Sequence, residues 1–155
     1  MVSQAPEGQH PELRLWLRLL SCTNLITAHI RGKLRETFDI TLPRFDVMAQ
    51  IARSPDGLRL GELSARMMVT GGNLTGIIDA LVADGLVTRE TVPTDRRAAV
   101  VRLSKTGQKA FVKMAAEHET WLAELFAGLK PEDLSAMTHE LDALKQAVRR
   151  VHGKR

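Results

Sequence analysis

The sequence predicts a mainly α-helical fold that carries one small β-hairpin. Long stretches at both ends of the chain have apolar residues at helical spacing. Between them, within residues 58–107, two β-rich runs are separated by a short charged turn. The length of 155 residues favours a single domain, and the 44% share of apolar residues is enough to build a core.

The first predicted helix runs from Pro11 to about Phe38, since proline is favoured in the first turn of a helix. Its first half is apolar nearly all round, through Leu13, Leu15, Trp16, Leu17, Leu19 and Leu20. A helix without a polar face must be covered on more than one side. We expect a second copy of the chain to provide that cover.

The middle of the chain predicts a second helix, a helix pair and the hairpin. The second helix opens at Thr41-Leu42-Pro43 and ends at the turn Ser54-Pro55-Asp56-Gly57. A short helix over 60–67 is followed by turn and N-cap residues, and a helix from Leu74 is stopped by Asp84-Gly85. Two strands, 86–92 and 98–103, then flank the tip Pro93-Thr94-Asp95-Arg96-Arg97. This order is that of a winged helix-turn-helix, which we assign to residues 43–103.

The last third predicts two more helices. Ser104 is the expected N-cap of the first, which carries His118 on its apolar stripe as a core or interface residue. The second follows Lys130-Pro131-Glu132-Asp133 and has a heptad-like seam, formed by Leu134, Met137, Leu141, Leu144, Val148 and Val151. The seam could pack on the domain's own core, but the small winged lobe cannot cover so many apolar positions. We therefore predict a homodimer whose helical hub is formed by residues 11–40 and 104–152.

Composition and motifs limit the classes of function. The net charge of +4 and the pI near 9.6 lean only weakly towards a polyanionic partner. One cysteine, no apolar signal-peptide segment and no membrane-length apolar run predict a cytoplasmic location. The scattered histidines and the lack of a nucleophile–base pair or a phosphate loop predict a protein that is not an enzyme and has neither metal nor cofactor.

The motifs of residues 63–107 resemble those of the MarR family of bacterial transcription regulators. They read Leu63-Ser64-Ala65-Arg66-Met67, then Asp84-Gly85-Leu86-Val87-Thr88-Arg89, then Pro93-Thr94-Asp95-Arg96-Arg97, and then Leu103-Ser104-Lys105-Thr106-Gly107. The resemblance extends from about Leu13 to Val151. It implies a homodimer that binds a pseudo-palindrome in double-stranded DNA and responds to a small-molecule effector.

One departure concerns the helix that would read DNA. The family often has arginine where this chain has Gly76 and Ala80. The loss shifts the expected base contacts to Thr70, Asn73 and Thr75. Gly71 and Gly72 would let the backbone approach the DNA closely, and Gly76 is a further candidate for DNA contact.

The hairpin tip has two interpretations. A charged tip is commonly only solvated, but here it adjoins a candidate recognition helix. We therefore assign Arg96 and Arg97 to DNA, with Arg97 in a minor groove and Asp95 holding that arginine in place. Arg66 and Lys105 are candidate phosphate contacts.

Five residues on the first two helices are candidates for the effector site, although aromatic and Met residues at helical spacing are more often core. They are Trp16, His29, Phe45, Asp46 and Met48. The family's habit suggests an aromatic carboxylate or its thioester, and the absence of a recognition-helix arginine argues against urate. For Cys22 we expect a buried structural thiol rather than a redox sensor.

The leading hypothesis is a dimeric repressor that an effector releases from its operator. Two alternatives stay open at this point. One is a winged-helix module that binds protein, which the missing arginines favour, and the other is a small enzyme with its site at the dimer interface.

Overall fold

A computed structural model describes residues 10–67 and 71–153. For 71, 72, 96 and 97 it describes the backbone only. The predicted Thr70 site therefore lies outside the described residues, as do the side chains of Arg96 and Arg97. Within the described ranges the protein is mostly helical, with one small antiparallel sheet.

Helix α1 spans Pro11–Phe38, as predicted. It ends where Asp39 adopts a left-handed conformation, φ 51°, and donates its backbone N–H to the carbonyl of Arg35. Only the second half of the helix enters the core, through Ile30 and Leu34. The expectation of a buried thiol was wrong for the single chain: Cys22 is exposed, because the first half of α1 has no core to enter.

Helix α2 spans Leu42–Ala52, and Thr41 caps it by accepting a hydrogen bond from the N–H of Arg44. After the turn at residues 54–57 comes a strand that sequence patterning missed, β1, Leu58–Arg59. Leu58 pairs with Val101 across the sheet. A strand of two residues is too short to show an alternation of apolar and polar side chains. It is recognised only by its pairing with the strand that contains Val101.

Helices α3, Leu60–Met67, and α4, Gly71–Ala83, form the helix pair. The prediction that α4 starts after Asn73 was wrong, since the helix begins at Gly71 and Asn73 lies in its first turn. The helix ends at Ala83, directly before Asp84-Gly85 as predicted, and the φ of 74° at Gly85 suits glycine. The backbone N–H of Gly85 donates to the carbonyl of Val82.

Strands β2, Val87–Val92, and β3, Asp95–Leu103, form the wing, and the sheet order is β1-β3-β2. The second strand starts three residues earlier than predicted. Asp95 pairs with Val92, so the turn shrinks to residues 93–94 and the Asp-Arg-Arg run belongs to the strand. Backbone pairing has overridden the turn-like composition of this run.

The core of the lobe is built from α1, α2, α3, α4 and the sheet. Its fully buried side chains include Leu34, Val47, Met48, Ile51, Leu58, Leu63, Ile78, Leu81 and Val101. Ser104 joins this core to the next helix: its hydroxyl donates to the carbonyl of Gly85 at 2.6 Å and accepts from the N–H of Gly107 at 2.9 Å. The predicted N-cap is thus confirmed.

Helices α5, Lys105–Leu125, and α6, Pro131–His152, complete the chain. Contacts group the residues up to His118 into one compact unit and those from Glu119 into another. Helix α6 has no buried residue. A search of the described residues finds no helix with the length and apolarity needed to cross a bilayer.

Candidate nucleic-acid interface and adjoining cleft

Helix α4, the candidate recognition helix, is amphipathic, and its buried face fixes which side chains it exposes. Leu74, Ile78 and Leu81 are buried in the lobe, so the helix cannot rotate about its axis without losing core contacts. Asn73, Thr75 and Gly76 are exposed. The exposed residues are small, which lets a helix backbone approach a groove closely but offers few bidentate contacts.

Ion pairs connect this helix and the loop before β1 to the wing. Arg89 on β2 pairs with Asp79 on α4 at 2.6 Å. Arg102 on β3 pairs with Glu90 on β2 at 3.2 Å, and its Nε donates to the backbone carbonyl of Asp56 at 3.0 Å. The base of the wing is therefore tied to both the recognition helix and the α2–β1 turn.

The remaining predicted DNA-contact residues also lie on the surface of the lobe. Asp95, at the start of β3, and Lys105, at the start of α5, are exposed. Arg66 is exposed at the end of α3, with one guanidinium nitrogen 3.5 Å from the hydroxyl of Ser54. Gly71 and Gly72 form the first turn of α4. Their roles in DNA binding remain predictions.

A cleft of about 1000 Å³ opens between α1, α2 and the recognition helix. Helix α1 and the segment that follows contribute Ala28, Arg31, Gly32, Arg35, Ile40 and Thr41; α2 contributes Leu42, Pro43 and Arg44; and α4 contributes Asn73, Gly76 and Ile77. Three lining residues are cationic, and none of those the structure describes is acidic. The cleft thus combines positive charge with an apolar floor.

The three arginines of the cleft differ in their pairing. Arg44 lies 3.9 Å from Asp84, a loose and largely solvated pair. Within the described ranges neither Arg31 nor Arg35 forms an ion pair. They are four residues apart on one helix, where two like charges repel. An anion bound in the cleft would relieve that repulsion.

The structure does not place the five predicted effector residues in this cleft. Phe45 and Met48 are buried in the core, where the Phe45 ring lies 5.8 Å from Phe111 and 5.0 Å from His118. Trp16 and His29 are exposed on α1, and none of the five lines the cleft. Their role in effector binding stays a prediction.

The carboxyl group of Asp46 has a perturbed pKa. Partial burial of its carboxyl raises the pKa above the ordinary aspartate value, and the nearby His118 acts in the opposite direction. The residue as a whole is still exposed.

Sequence patterning missed the cleft arginines. Arg31 and Arg35 are separated by one helical turn, which was a readable signal of a cationic helix face. Arg44 comes from another helix, and only the fold brings it to the same cavity. The described residues contain no group of three or more His, Cys, Asp or Glu side chains that could hold a metal ion.

Comparison with known proteins identifies the family. Residues 38–98 match the sequence model of the MarR family. The structure of a MarR family transcriptional regulator from Silicibacter pomeroyi superposes with a TM-score of 0.79 at 29% identity, over 93% of this chain and 99% of that one. The sequence match and the superposed structure support a DNA-binding transcriptional regulator of the MarR family with a winged-helix fold.

Curated relatives match at similar identity. The transcriptional activatory protein BadR of Rhodopseudomonas palustris is 27% identical over 83% of this chain and 74% of its own length. The homoprotocatechuate degradative operon repressor of Escherichia coli is 26% identical over 83% and 85%. A match to the regulator YkoM of Bacillus subtilis, 31% identical, spans only about half of each chain (48% and 49%).

A further MarR structure was solved with DNA. Sco3205 of Streptomyces coelicolor, in complex with DNA, has a TM-score of 0.76 at 20% identity, over 94% of this chain and 92% of that one. At that identity the likeness concerns the fold alone.

Proposed function

We propose that this MarR protein is a dimeric repressor that releases a pseudo-palindromic operator when a small anion occupies the cleft. One observation carries the proposal: Asn73, Gly76 and Ile77 of the recognition helix form one wall of the cleft. Any occupant therefore touches the element that would read the DNA. A ligand can shift the position of that helix only if it binds one position better than the other.

The exposed surface of the lobe supports the DNA-contact assignments. The first turn of α4 would present the positive end of the helix dipole to a phosphate. Thr75 and Asn73 would contact base edges, and Lys105 and Arg66 would contact phosphates on either side. The Asp95-Arg96-Arg97 run begins β3 and would bring its arginines to the flanking minor groove.

The proposed dimer rests on apolar surface that a single chain leaves in water. On α1, Trp16 is 56% exposed and Leu15 49%. On α6, Leu141 is 48% exposed and Val151 70%. Such surface is rare on a monomer and typical of an obligate interface. Two copies would place two winged lobes on two half-sites.

The anionic effector follows from the charge of the cleft. Three arginines and an apolar floor suit a carboxylate on an apolar body, which agrees with our expectation of an aromatic acid or its thioester. One relative is named as a repressor of homoprotocatechuate degradation and another as an activatory protein. We propose repression for this chain, and a promoter fusion carrying its operator tests the direction.

A titration against operator DNA tests the function directly. Fluorescence anisotropy at several salt concentrations should give a log–log slope near −0.9 per neutralised phosphate. Lys105→Ala should reduce the magnitude of that slope by roughly one unit without changing sequence preference. Lys113→Ala, an exposed lysine two turns further along α5, is the matched control and should leave the slope unchanged. A flat salt response in the wild type would favour the protein-binding alternative.

Variants of the wing and of α4 test the separate DNA contacts that we propose for these two elements. Arg97→Ala should weaken binding by about 1–3 kcal/mol and remove a preference for A·T-rich flanks. Thr75→Ala should relax preference within the half-sites. Asp95→Ala should act as a milder Arg97→Ala, and tighter binding by that variant would show that Asp95 merely repels phosphate.

A further inference from the structure

Two glycines face the cleft from opposite walls. Gly32 lies on α1 and Gly76 on α4, and both line the cavity. A Cβ atom built at either position would meet no atom within 4 Å apart from its own helix backbone and chain neighbours. Nothing that the structure describes around these two positions requires the residue to be glycine.

Glycine is a costly choice in the interior of a helix. It has more conformational freedom to lose on folding than alanine, and it leaves the helix backbone less shielded. Neither Gly32 nor Gly76 has the positive φ that would demand glycine, whereas Gly57 and Gly85 do. The local backbone therefore gives no reason for this choice at two places in one cavity.

Gly107, a third helical glycine, is required by packing. At Gly107 on α5, a Cβ would collide with the backbone carbonyl oxygen of Leu86. At Gly32 and Gly76 the equivalent space is empty cleft. The absent side chains enlarge the cavity, which at about 1000 Å³ is at the upper end of the range for small-molecule sites.

We propose that Gly32 and Gly76 set the size limit of the effector site and select an anion whose apolar body is larger than one aromatic ring. Arg31 and Arg35 would hold the anionic group, and the apolar body would extend over Ile40 and Ile77 between the glycines. This inference rests on the proposed effector function of the cleft. It adds the size class of the ligand and the residues that determine it.

The test compares two acids of different size on the full-length protein without DNA. Calorimetric titration with benzoate and with 2-naphthoate measures each affinity, so direct effects of Gly76 on DNA do not enter. The wild type should bind 2-naphthoate at least tenfold more tightly than benzoate. Equal affinity of the wild type for the two acids would overturn the inference.

Filling the glycine positions should remove the preference. Gly76→Leu and Gly32→Leu should weaken 2-naphthoate binding tenfold or more and change benzoate binding less than threefold. Ala83→Leu, on the exposed surface of α4 outside the cleft, is the matched control and should change neither affinity. A preference retained by both glycine variants would overturn the inference.

Two further measurements separate this inference from the proposal beneath it. Arg35→Gln should weaken both acids alike, whereas Arg14→Gln on the exposed first half of α1 should not. If neither acid binds the wild type, the anionic effector site itself fails, and the size limit fails with it. Thermal melting should show that the leucine variants are folded, and Gly76→Ala replaces any variant that is not.

Discussion

The winged lobe and the two apolar helix faces outside it solve the problem of burial differently. In the lobe Leu34, Val47, Ile78 and Val101 are fully buried within one chain. On α6 no residue is buried, although six apolar side chains lie along one seam. The lobe completes its core from its own sequence, and we propose that a second copy of the chain covers the seam.

The same contrast divides helix α1. Its second half ends in the core of the lobe through Ile30 and Leu34, while its first half exposes Leu13, Trp16 and Leu17. Apolar surface contributes about 25 cal/mol per Å² when removed from water, so both halves favour burial. One half is buried on folding, and we propose that the other is buried on association.

The largest expected effect is on the association. Leu141→Asp combined with Leu144→Asp should place unpaired charges in the proposed dimer interface and weaken the dimer at least 100-fold, about 3 kcal/mol. Analytical ultracentrifugation should then show monomer or aggregate. The paired control Ser135→Asp with Gln146→Asp, off the seam on the same helix, should remain dimeric. A folded, intact dimer of the double leucine variant would contradict the proposed interface.

Truncating the lobe core should be the next largest effect, and it acts on folding. Leu34→Ala should lower the free energy of unfolding by about 2–5 kcal/mol, because it leaves a cavity at a fully buried site. Denaturant unfolding measures it. Val112→Ala on α5, where the side chain is 68% exposed, should cost less than about 0.5 kcal/mol. Similar losses for the two variants would mean that the lobe is not the folding unit.

Gly107→Ala tests the joint between the lobe and α5. Its Cβ would collide with the carbonyl of Leu86, and we expect the free energy of unfolding to fall by about 1–3 kcal/mol. Gly128→Ala is the matched control, because a Cβ there meets no atom within 4 Å. An unchanged melting temperature for Gly107→Ala would show that the strand end shifts freely relative to the helix.

The smallest effect concerns pH. The pKa of Asp46 is raised in the folded state, so its contribution to stability is full below the unfolded pKa and is lost as pH rises through the folded pKa. Asp46→Asn should therefore be slightly more stable than the wild type at neutral pH, by less than about 1 kcal/mol for so exposed a residue. The difference should disappear below the ordinary aspartate range. Denaturant midpoints at pH 3.5 and 7 measure it, and a less stable variant at neutral pH would reverse the assigned cause.

Much of this fold follows from local chemistry in the sequence. Proline at the start of α1, Thr41 before α2 and Ser104 before α5 mark helix starts that the structure confirms. The wing strands could be predicted because β-rich runs flank a turn. Element ends were harder to predict: pairing across the sheet moved the start of β3 to Asp95, and α4 begins at Gly71 rather than after Asn73.

The cleft could not be predicted in the same way. Its arginines come from α1 and α2 and its glycines from α1 and α4, so no single pattern contains them. The sequence instead favoured aromatic and Met residues on the first two helices as effector contacts, and two of them, Phe45 and Met48, are buried in the core. A cavity is defined by the side chains that are missing from it, which a search for conspicuous residues does not detect.

The unbroken course of α1 has a consequence for the lengths that this chain can tolerate. One helix of 28 residues carries both the exposed apolar half and the half that anchors the lobe. Each residue of an α-helix turns the chain by about 100° and advances it by about 1.5 Å. A single insertion near Cys22 would therefore rotate one half of α1 against the other by more than a quarter turn. A point substitution at the exposed Cys22 would leave this angle unchanged. Point substitutions and length changes in the middle of α1 should thus differ sharply in their consequences, because the course of α1 would set the angle between the proposed dimer interface and the proposed DNA-binding surface of the lobe.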